Sequence, residues 1–270
     1  MVAVTEIFPA MQCEGCGGEH STYGWPTVFF RLGTGCTLTC KGFGVPVIKD
    51  GVHLKDKDGE LMYGCDSFDS VYSEFKGRSK QYTAEELIAA YYKNIPKVSV
   101  KNQLKPTITI SGGEPCLFLR DEELQRFITF FTSRDVKVMI ETNGTVKVDF
   151  ELGTMRKVMF SISPKLASAG DPQSKRIKLD VLEDLIQKAR TSYLKFVVSE
   201  DNWEEEYAEI KMILDGIPSY VPNILLMGQG GKNDEKFRKN EKFAYLKAME
   251  LGFMFSPRTH ISLFSDEKLR

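Results

Sequence analysis

Apolar residues fall along this chain in two rhythms. One is a short, nearly unbroken run of β-branched and aromatic residues, which suits a strand packed on both faces. The other is the return of an apolar residue every three or four positions, which suits one face of a helix. Runs of the first kind cover 1–8, 26–33, 107–111, 136–141, 155–161, 193–199 and 223–227. Segments of the second kind cover 83–94, 121–133, 179–190, 204–214 and 235–251. The first of these opens on Thr83-Ala84-Glu85-Glu86, a capping box that sets Leu87, Ile88 and Tyr91 on one face. This alternation predicts an α/β fold in which a parallel sheet curls into a partial (β/α) barrel, an open relative of the eightfold barrel. Residues 11–23 form a glycine-rich loop. In 41–64, Asp50-Gly51 and Asp58-Gly59 are hairpin turn signals between short apolar stretches, which predicts a small β meander.

Composition adds bounds. With 270 residues, 42% of them hydrophobic, the chain suffices for one well-buried core and is short for two, so a single domain over 1–270 is expected. Its 36 basic and 37 acidic residues leave a net charge of -1, which offers no electrostatic case for nucleic acid or an anionic membrane surface and favours a small-molecule partner. No apolar run reaches the roughly 20 residues of a membrane span, and the amino terminus lacks the basic and apolar regions of a signal peptide; a cytoplasmic protein is expected. Six cysteines are too sparse for a disulfide scaffold, and in a reducing compartment clustered thiols serve metal or redox roles.

The thiols do cluster. The strand at 26–33 runs into Cys36 and Cys40, and a third thiol follows at Cys65. Thiolates are the ligands of iron–sulfur clusters, and two of them with this spacing on a loop can face one cluster; the pair also suits two small core residues. Cys13-Glu14-Gly15-Cys16 has the spacing of a zinc half-site, with no second half-site to match. Downstream, the strand at 107–111 ends in Gly112-Gly113-Glu114-Pro115, where the backbone can approach a ligand closely, although alone the sequence is an ordinary turn. Thr142 and Asn143 follow the next strand, and Ser161, Ser163 and Lys165 follow the one after. Polar residues at the carboxyl ends of parallel strands line the edge where ligands bind. Arg31, at the end of an apolar strand, needs an anionic partner, either a salt bridge or a ligand.

Taken in order, the cysteine loop after an apolar strand and the Gly-Gly-Glu-Pro turn resemble the radical S-adenosylmethionine enzymes. Within that superfamily, Glu6-Ile7-Phe8, Gln12-Cys13-Glu14-Gly15, Glu141-Thr142-Asn143-Gly144-Thr145 and Ser161-Ile162-Ser163-Pro164-Lys165 resemble the blocks of the 7-carboxy-7-deazaguanine synthase (QueE) family, in the family's order. The superfamily's usual third cysteine would fall at Phe43, which cannot ligate iron. Cys65-Asp66-Ser67 resembles the Cys-Asp-Thr or Cys-Asp-Ser that ends the family's cluster loop, so 41–64 is expected as an insertion that returns the chain near its start.

The resemblance implies that Cys36, Cys40 and Cys65 hold a [4Fe–4S] cluster whose open iron chelates S-adenosylmethionine. It implies that Gly112, Gly113, Glu114, Thr142, Asn143, Ser161, Ser163 and Lys165 bind that cofactor, and that Ser67 takes part in a magnesium site. Gln12, Glu14, Arg31, Gln229 and His260 are the implied substrate contacts, and no catalytic residue beyond the cofactor is implied. In the implied reaction a 5′-deoxyadenosyl radical takes a hydrogen from C6 of 6-carboxy-5,6,7,8-tetrahydropterin. The ring then contracts with loss of ammonia to 7-carboxy-7-deazaguanine, a step of queuosine-type biosynthesis and a carbon–nitrogen lyase reaction. An electron donor such as flavodoxin and a second copy in a homodimer are the expected partners. Cys116 is expected in the core. Two alternatives stay open: another small radical S-adenosylmethionine enzyme such as a glycyl-radical activase, which gives no reason for Gln12 and Glu14, and a cluster-less binding or regulatory module on the same fold.

Overall fold

The structure, a computed structural model, describes residues 1–13, 22–97, 101, 103–221, 223–230 and 235–264. In chain order the strands are β1 (Val2–Met11), β2 (Pro26–Leu32), β3 (Val45–Pro46), β4 (Ile48–Lys49), β5 (Val52–His53), β6 (Tyr63–Gly64), β7 (Lys80–Tyr82), β8 (Thr107–Ser111), β9 (Val138–Thr142), β10 (Met159–Ile162), β11 (Thr191–Val198), β12 (Ile224–Gly228) and β13 (Met254–Phe255). The α-helices are α1 (Ala84–Asn94), α2 (Glu122–Thr132), α3 (Gln173–Arg176), α4 (Leu179–Lys188), α5 (Trp203–Gly216), α6 (Glu235–Leu251) and α7 (Thr259–Phe264). Nine strands form one sheet in the order β13-β12-β11-β10-β9-β8-β2-β1-β7. From β2 to β13 every neighbour is parallel, and β1 runs antiparallel to β2 and β7 at one edge. This is the α/β partial barrel expected from the alternation of strands and helices.

Burial explains why the sheet keeps its register. One face carries Val28, Phe30, Leu32, Ile108, Ile110, Val138, Ile140, Phe160, Ile162, Leu194, Phe196 and Leu226, all inside the main core under the helices. Register matters here because a slip of one residue would exchange this face for the other. Phe127 of α2 packs on Phe30 with ring centroids 4.9 Å apart, and each such side chain contributes about 1.5–3 kcal/mol by leaving water. The capping box is present: Glu86 N–H donates to Thr83 Oγ1 (3.3 Å) and Thr83 N–H donates to the Glu86 carboxylate (2.8 Å). At the head of α2, Asp121 takes the amides of Glu123 and Leu124.

Two expectations need correction. The strand sought at 155–161 begins only at Met159; before it, Gly153–Lys157 is a 3-10 turn, with the Thr154 hydroxyl bonded to Thr129 of α2 at 2.7 Å. That tie and the burial of Met155 favour the turn over an extended chain. The 41–64 meander is two separate antiparallel pairs, β3 with β6 and β4 with β5. Asp50 (φ 51°) and Gly51 (φ 82°) both take left-handed conformations, the pattern of the tight turn that suits a two-residue hairpin loop.

Candidate active site at the carboxyl edge of the sheet

The opposite face of the same strands is polar. Arg31 stands beside Ser111, Thr109 beside Met139, Ser161 between Glu141 and Tyr193, and Lys195 beside Leu225. Met139, Met159, Tyr193 and Leu225 form a separate apolar floor on this face. Thr109 also accepts a hydrogen bond from Gln12 Nε2 (3.1 Å), and Gln12 is buried where its strand leaves the sheet.

At the carboxyl edge three loops meet. Gly35 N–H donates to Ser70 O (2.9 Å), which stitches the loop after Cys65 to the loop before Cys36. Glu114 N–H donates to Gly35 O (2.8 Å) and adds the turn after β8. The close approach required of the paired glycines is to the chain's own backbone. A Cβ on Gly113 would lie 2.2 Å from Gly35 O, and one on Gly112, whose φ is 131°, 2.6 Å from Leu32 O. The result is an apolar knot of Leu38, Cys40 and Ala169 against which Cys36, Phe43 and Cys65 pack. Three thiols spread over the sequence thus come together, with Phe43 packed beside them. Burial pushes the Cys36 thiol up, and pushes Cys40 and Cys65 up to about 12, the neighbouring thiols adding to this at Cys40 and Cys65. Bare, they are neutral thiols, and binding a metal would release their protons. Among the described residues no three His, Cys, Asp or Glu side chains close on one point as ligands of a single ion would. In a multi-iron cluster each thiolate takes its own iron.

Glu114 is fully buried and ties strand ends together. Its carboxylate accepts from Cys116 N–H (2.9 Å), Thr142 Oγ1 (2.8 Å) and Asn143 N–H (2.8 Å), while burial raises its pKa against the effect of those donors. Its side chain serves the turn and not the open trough. Cys116, beside it, is buried, as a core residue should be. Asn143 extends the network to the thiols: its Nδ2 donates to Thr37 Oγ1 (3.0 Å) and to Cys36 Sγ (3.7 Å). Lys165 Nζ donates to Ser163 O (3.1 Å) and Oγ (2.9 Å), and its charge acts on all three thiols. Ser161 is buried on the trough face.

Charge concentrates around Asp66. Partial burial works against its carboxylate, but Arg258, then Arg31 and Lys165, outweigh that and hold it below the usual carboxylate range. Arg258 donates to Asp66 (2.8 Å) and to the Gly230 carbonyl. Arg31 lies 3.5 Å from Glu6, and its Nε is buried with no hydrogen-bond partner among the described residues. Ser67 Oγ sits 3.4 Å from Asp66 Oδ1. The carboxyl-terminal segment reaches the same mouth, since Ser256 Oγ donates to Cys13 O (3.4 Å). Gln229 follows β12, its amide on Val198 O and its carbonyl on Asn240 Nδ2, and His260 is half-buried on α7. Glu14 and Cys16 lie outside the described residues.

Proteins named 7-carboxy-7-deazaguanine synthase are similar in sequence to this chain over most of its length. Over 97% of its length the chain is 24% identical to a 7-carboxy-7-deazaguanine synthase of Halobacterium salinarum, of which it covers 90%. A Buchnera aphidicola protein of the same name is also 24% identical, with 92% of this chain and 94% of that protein matched. The chain resembles 7-carboxy-7-deazaguanine synthase. In solved structures, QueE from Escherichia coli has the same fold at a TM-score of 0.57 and 19% identity, covering 95% of this chain and 93% of that one. No family model matches.

Neither Arg258 at the mouth nor Lys195 on the trough face was anticipated from the sequence. Arg258 lies two places before His260, an implied substrate contact, and nothing in its neighbours distinguishes it from a surface arginine. Lys195 had a legible signal, a lysine inside the otherwise apolar run Tyr193-Leu194-Lys195-Phe196-Val197-Val198. A charge at one alternate position of a buried strand marks a polar face.

Proposed function

We propose that the protein is a radical S-adenosylmethionine enzyme that converts 6-carboxy-5,6,7,8-tetrahydropterin to 7-carboxy-7-deazaguanine with loss of ammonia. The observation that carries this is the convergence of Cys36, Cys40 and Cys65 on one apolar knot at the carboxyl edge of a polar trough. Three thiols are the donor set of an iron–sulfur cluster, and Asn143 Nδ2 at Cys36 Sγ is the kind of outer contact such ligands have. These thiols would hold the cluster, and the ends of β8, β9 and β10, with Gly112, Gly113, Thr142, Asn143, Ser161, Ser163 and Lys165, would hold S-adenosylmethionine; Glu114 would shape that rim from beneath. When bound, cluster and cofactor together supply hydrogen-atom abstraction from carbon.

The chain's own part is to bind, orient and exclude water. Arg31, with its unpartnered Nε, suits the substrate carboxylate, since a planar guanidinium pairs with two oxygens at once. Three cations act on Asp66, and with Glu6 beside Arg31 they still outnumber these two carboxylates, which favours an anionic substrate. Gln12, Glu14, Gln229 and His260 are proposed as further substrate contacts, and Ser67 as a hydroxyl ligand of Mg2+ completed by the substrate carboxylate and waters. Residues 41–64 are proposed as an insertion in the cluster loop, and a small electron-transfer protein such as flavodoxin as the reductant. The test is product analysis by mass spectrometry after anaerobic reconstitution, with the carboxylated pterin, S-adenosylmethionine and a reductant. A reconstituted enzyme that cleaves the cofactor but yields no 7-carboxy-7-deazaguanine would refute the substrate.

A further inference from the structure

Asp171 has no role in the reading above, yet it holds the cysteine loop. Its carboxylate accepts the Thr39 amide on both oxygens (3.1 and 3.2 Å), the Thr39 hydroxyl (3.1 Å) and the Cys40 amide (2.8 Å). Cys40 has φ 50°, a left-handed conformation that residues other than glycine hold only where surrounding structure imposes it. Asp171 is fixed in its turn. The Arg176 guanidinium donates to Asp171 O (2.6 Å) and Lys165 O (2.6 Å) and pairs through both terminal nitrogens with Glu209 of α5 (2.8 and 2.9 Å). Both partners of that pair are buried. The backbones also close here, since a Cβ on Gly42 would stand 2.1 Å from Ser168 O. A rigid line therefore runs from α5 through Arg176 and Asp171 to the amide of Cys40.

We propose that Asp171 is a positioning residue that keeps the reduction potential of the cluster low. It does so by fixing Cys40, by placing a negative charge beside it, and by occupying two amides that would otherwise be free to donate to cluster sulfurs. This rests on the reading that Cys36, Cys40 and Cys65 hold a [4Fe–4S] cluster. Reduction potentials of such clusters fall with added negative charge and with fewer hydrogen bonds to sulfur. Reductive cleavage of a sulfonium needs a strongly reducing donor, so a loop whose amides are already engaged suits that task.

Asp171→Asn keeps the shape, removes the charge and turns one acceptor into a donor facing the loop amides. In the anaerobically reconstituted full chain, the expected result is iron content like that of wild type with a midpoint potential shifted upward, read by redox titration with electron paramagnetic resonance. In the metal-free protein the Thr39 and Cys40 amides should exchange with deuterium roughly tenfold faster or more, as loss of a charge-assisted hydrogen bond implies. Asp180→Asn, on the surface where Asp180 pairs with Lys147, controls for net charge and should leave the potential unchanged. If Asp171→Asn does not fold, Asp171→Glu, which keeps the charge but displaces the oxygens, should give a smaller upward shift and faster exchange at the same two amides. An unchanged potential at full iron content, or unchanged exchange at Thr39 and Cys40, overturns the proposal. A wild-type chain that takes up no iron overturns the functional reading and this proposal together, and wild-type iron content tells that case from a failure of Asp171 alone.

Discussion

The two faces of the sheet are both buried and differ in the chemistry of what they bury. Under the helices, Val28, Phe30, Leu32, Ile108, Ile110, Ile140 and Phe160 form an unbroken apolar layer. On the trough side the same strands carry Thr27, Thr109, Ser111, Ser161 and Lys195, each with little or no exposure. A parallel strand packed by apolar layers on both sides reads as a continuous hydrophobic run, whereas β8 reads Thr-Ile-Thr-Ile-Ser. Burial without apolarity is costly unless every polar group finds a partner, so a chain keeps it where a ligand or a network needs it. On the proposed function, one face carries the stability of the sheet and the other its chemistry. Substitutions should separate the two.

The largest expected effect is at the trough end. Cys65→Ala should abolish cluster binding, seen as loss of iron and of the absorbance near roughly 400 nm where thiolate-to-iron charge transfer falls, with little change in the thermal stability of the metal-free chain. Cys13→Ala and Cys116→Ala should both keep the cluster; Cys116 is buried beside Glu114. Iron retained in Cys65→Ala would break the assignment of the third thiol. On the other face, Ile110→Ala should cost about 2–5 kcal/mol in denaturant unfolding by opening a cavity, and leave iron content intact in the folded fraction. The matched change on the trough face, Ser161→Ala, should cost about 1 kcal/mol and act on cofactor binding. A reversal of those two effects would overturn the division of labour between the faces.

Most of the sheet was legible because its signals are local. The apolar runs at 26–33 and 107–111 and the capping box at Thr83 depend on neighbours within a few residues, and the structure carries them as β2, β8 and α1. The turn at Asp50-Gly51 is local in the same sense. Contacts across long separations were not legible. Thr39 and Cys40 meet Asp171 more than 130 residues away, and Arg258 meets Asp66 across 192. No periodicity encodes such pairs, and an aspartate or arginine on a loop reads as a solvated charge until the fold supplies its partner. Cys65 was reachable only through Asp66 and Ser67 beside it. The late start of β10 had a tertiary cause, the tie between Thr154 and Thr129.

The smallest effect tests the mouth of the trough rather than its walls. Arg258 donates to Asp66 at 2.8 Å, and Asp66 remains 63% exposed, so solvent and salt weaken the pair. Its carboxyl nevertheless titrates below the usual range because Arg258, Arg31 and Lys165 favour the charged form. A carboxylate with a depressed folded pKa stabilises the folded chain above its unfolded pKa, and that contribution is lost as pH falls through the folded value. Asp66→Asn should therefore lower the melting temperature by a small, constant amount from neutral pH down to about pH 4, the ordinary carboxylate value, and the difference should vanish only below it. Added salt should shrink the difference throughout. A gap between wild type and Asp66→Asn that already closes between about pH 6 and pH 5 would mean that Asp66 titrates above its usual range. The three cations would then not be gathered around it, and the excess positive charge proposed to draw an anionic substrate to this mouth would have no basis.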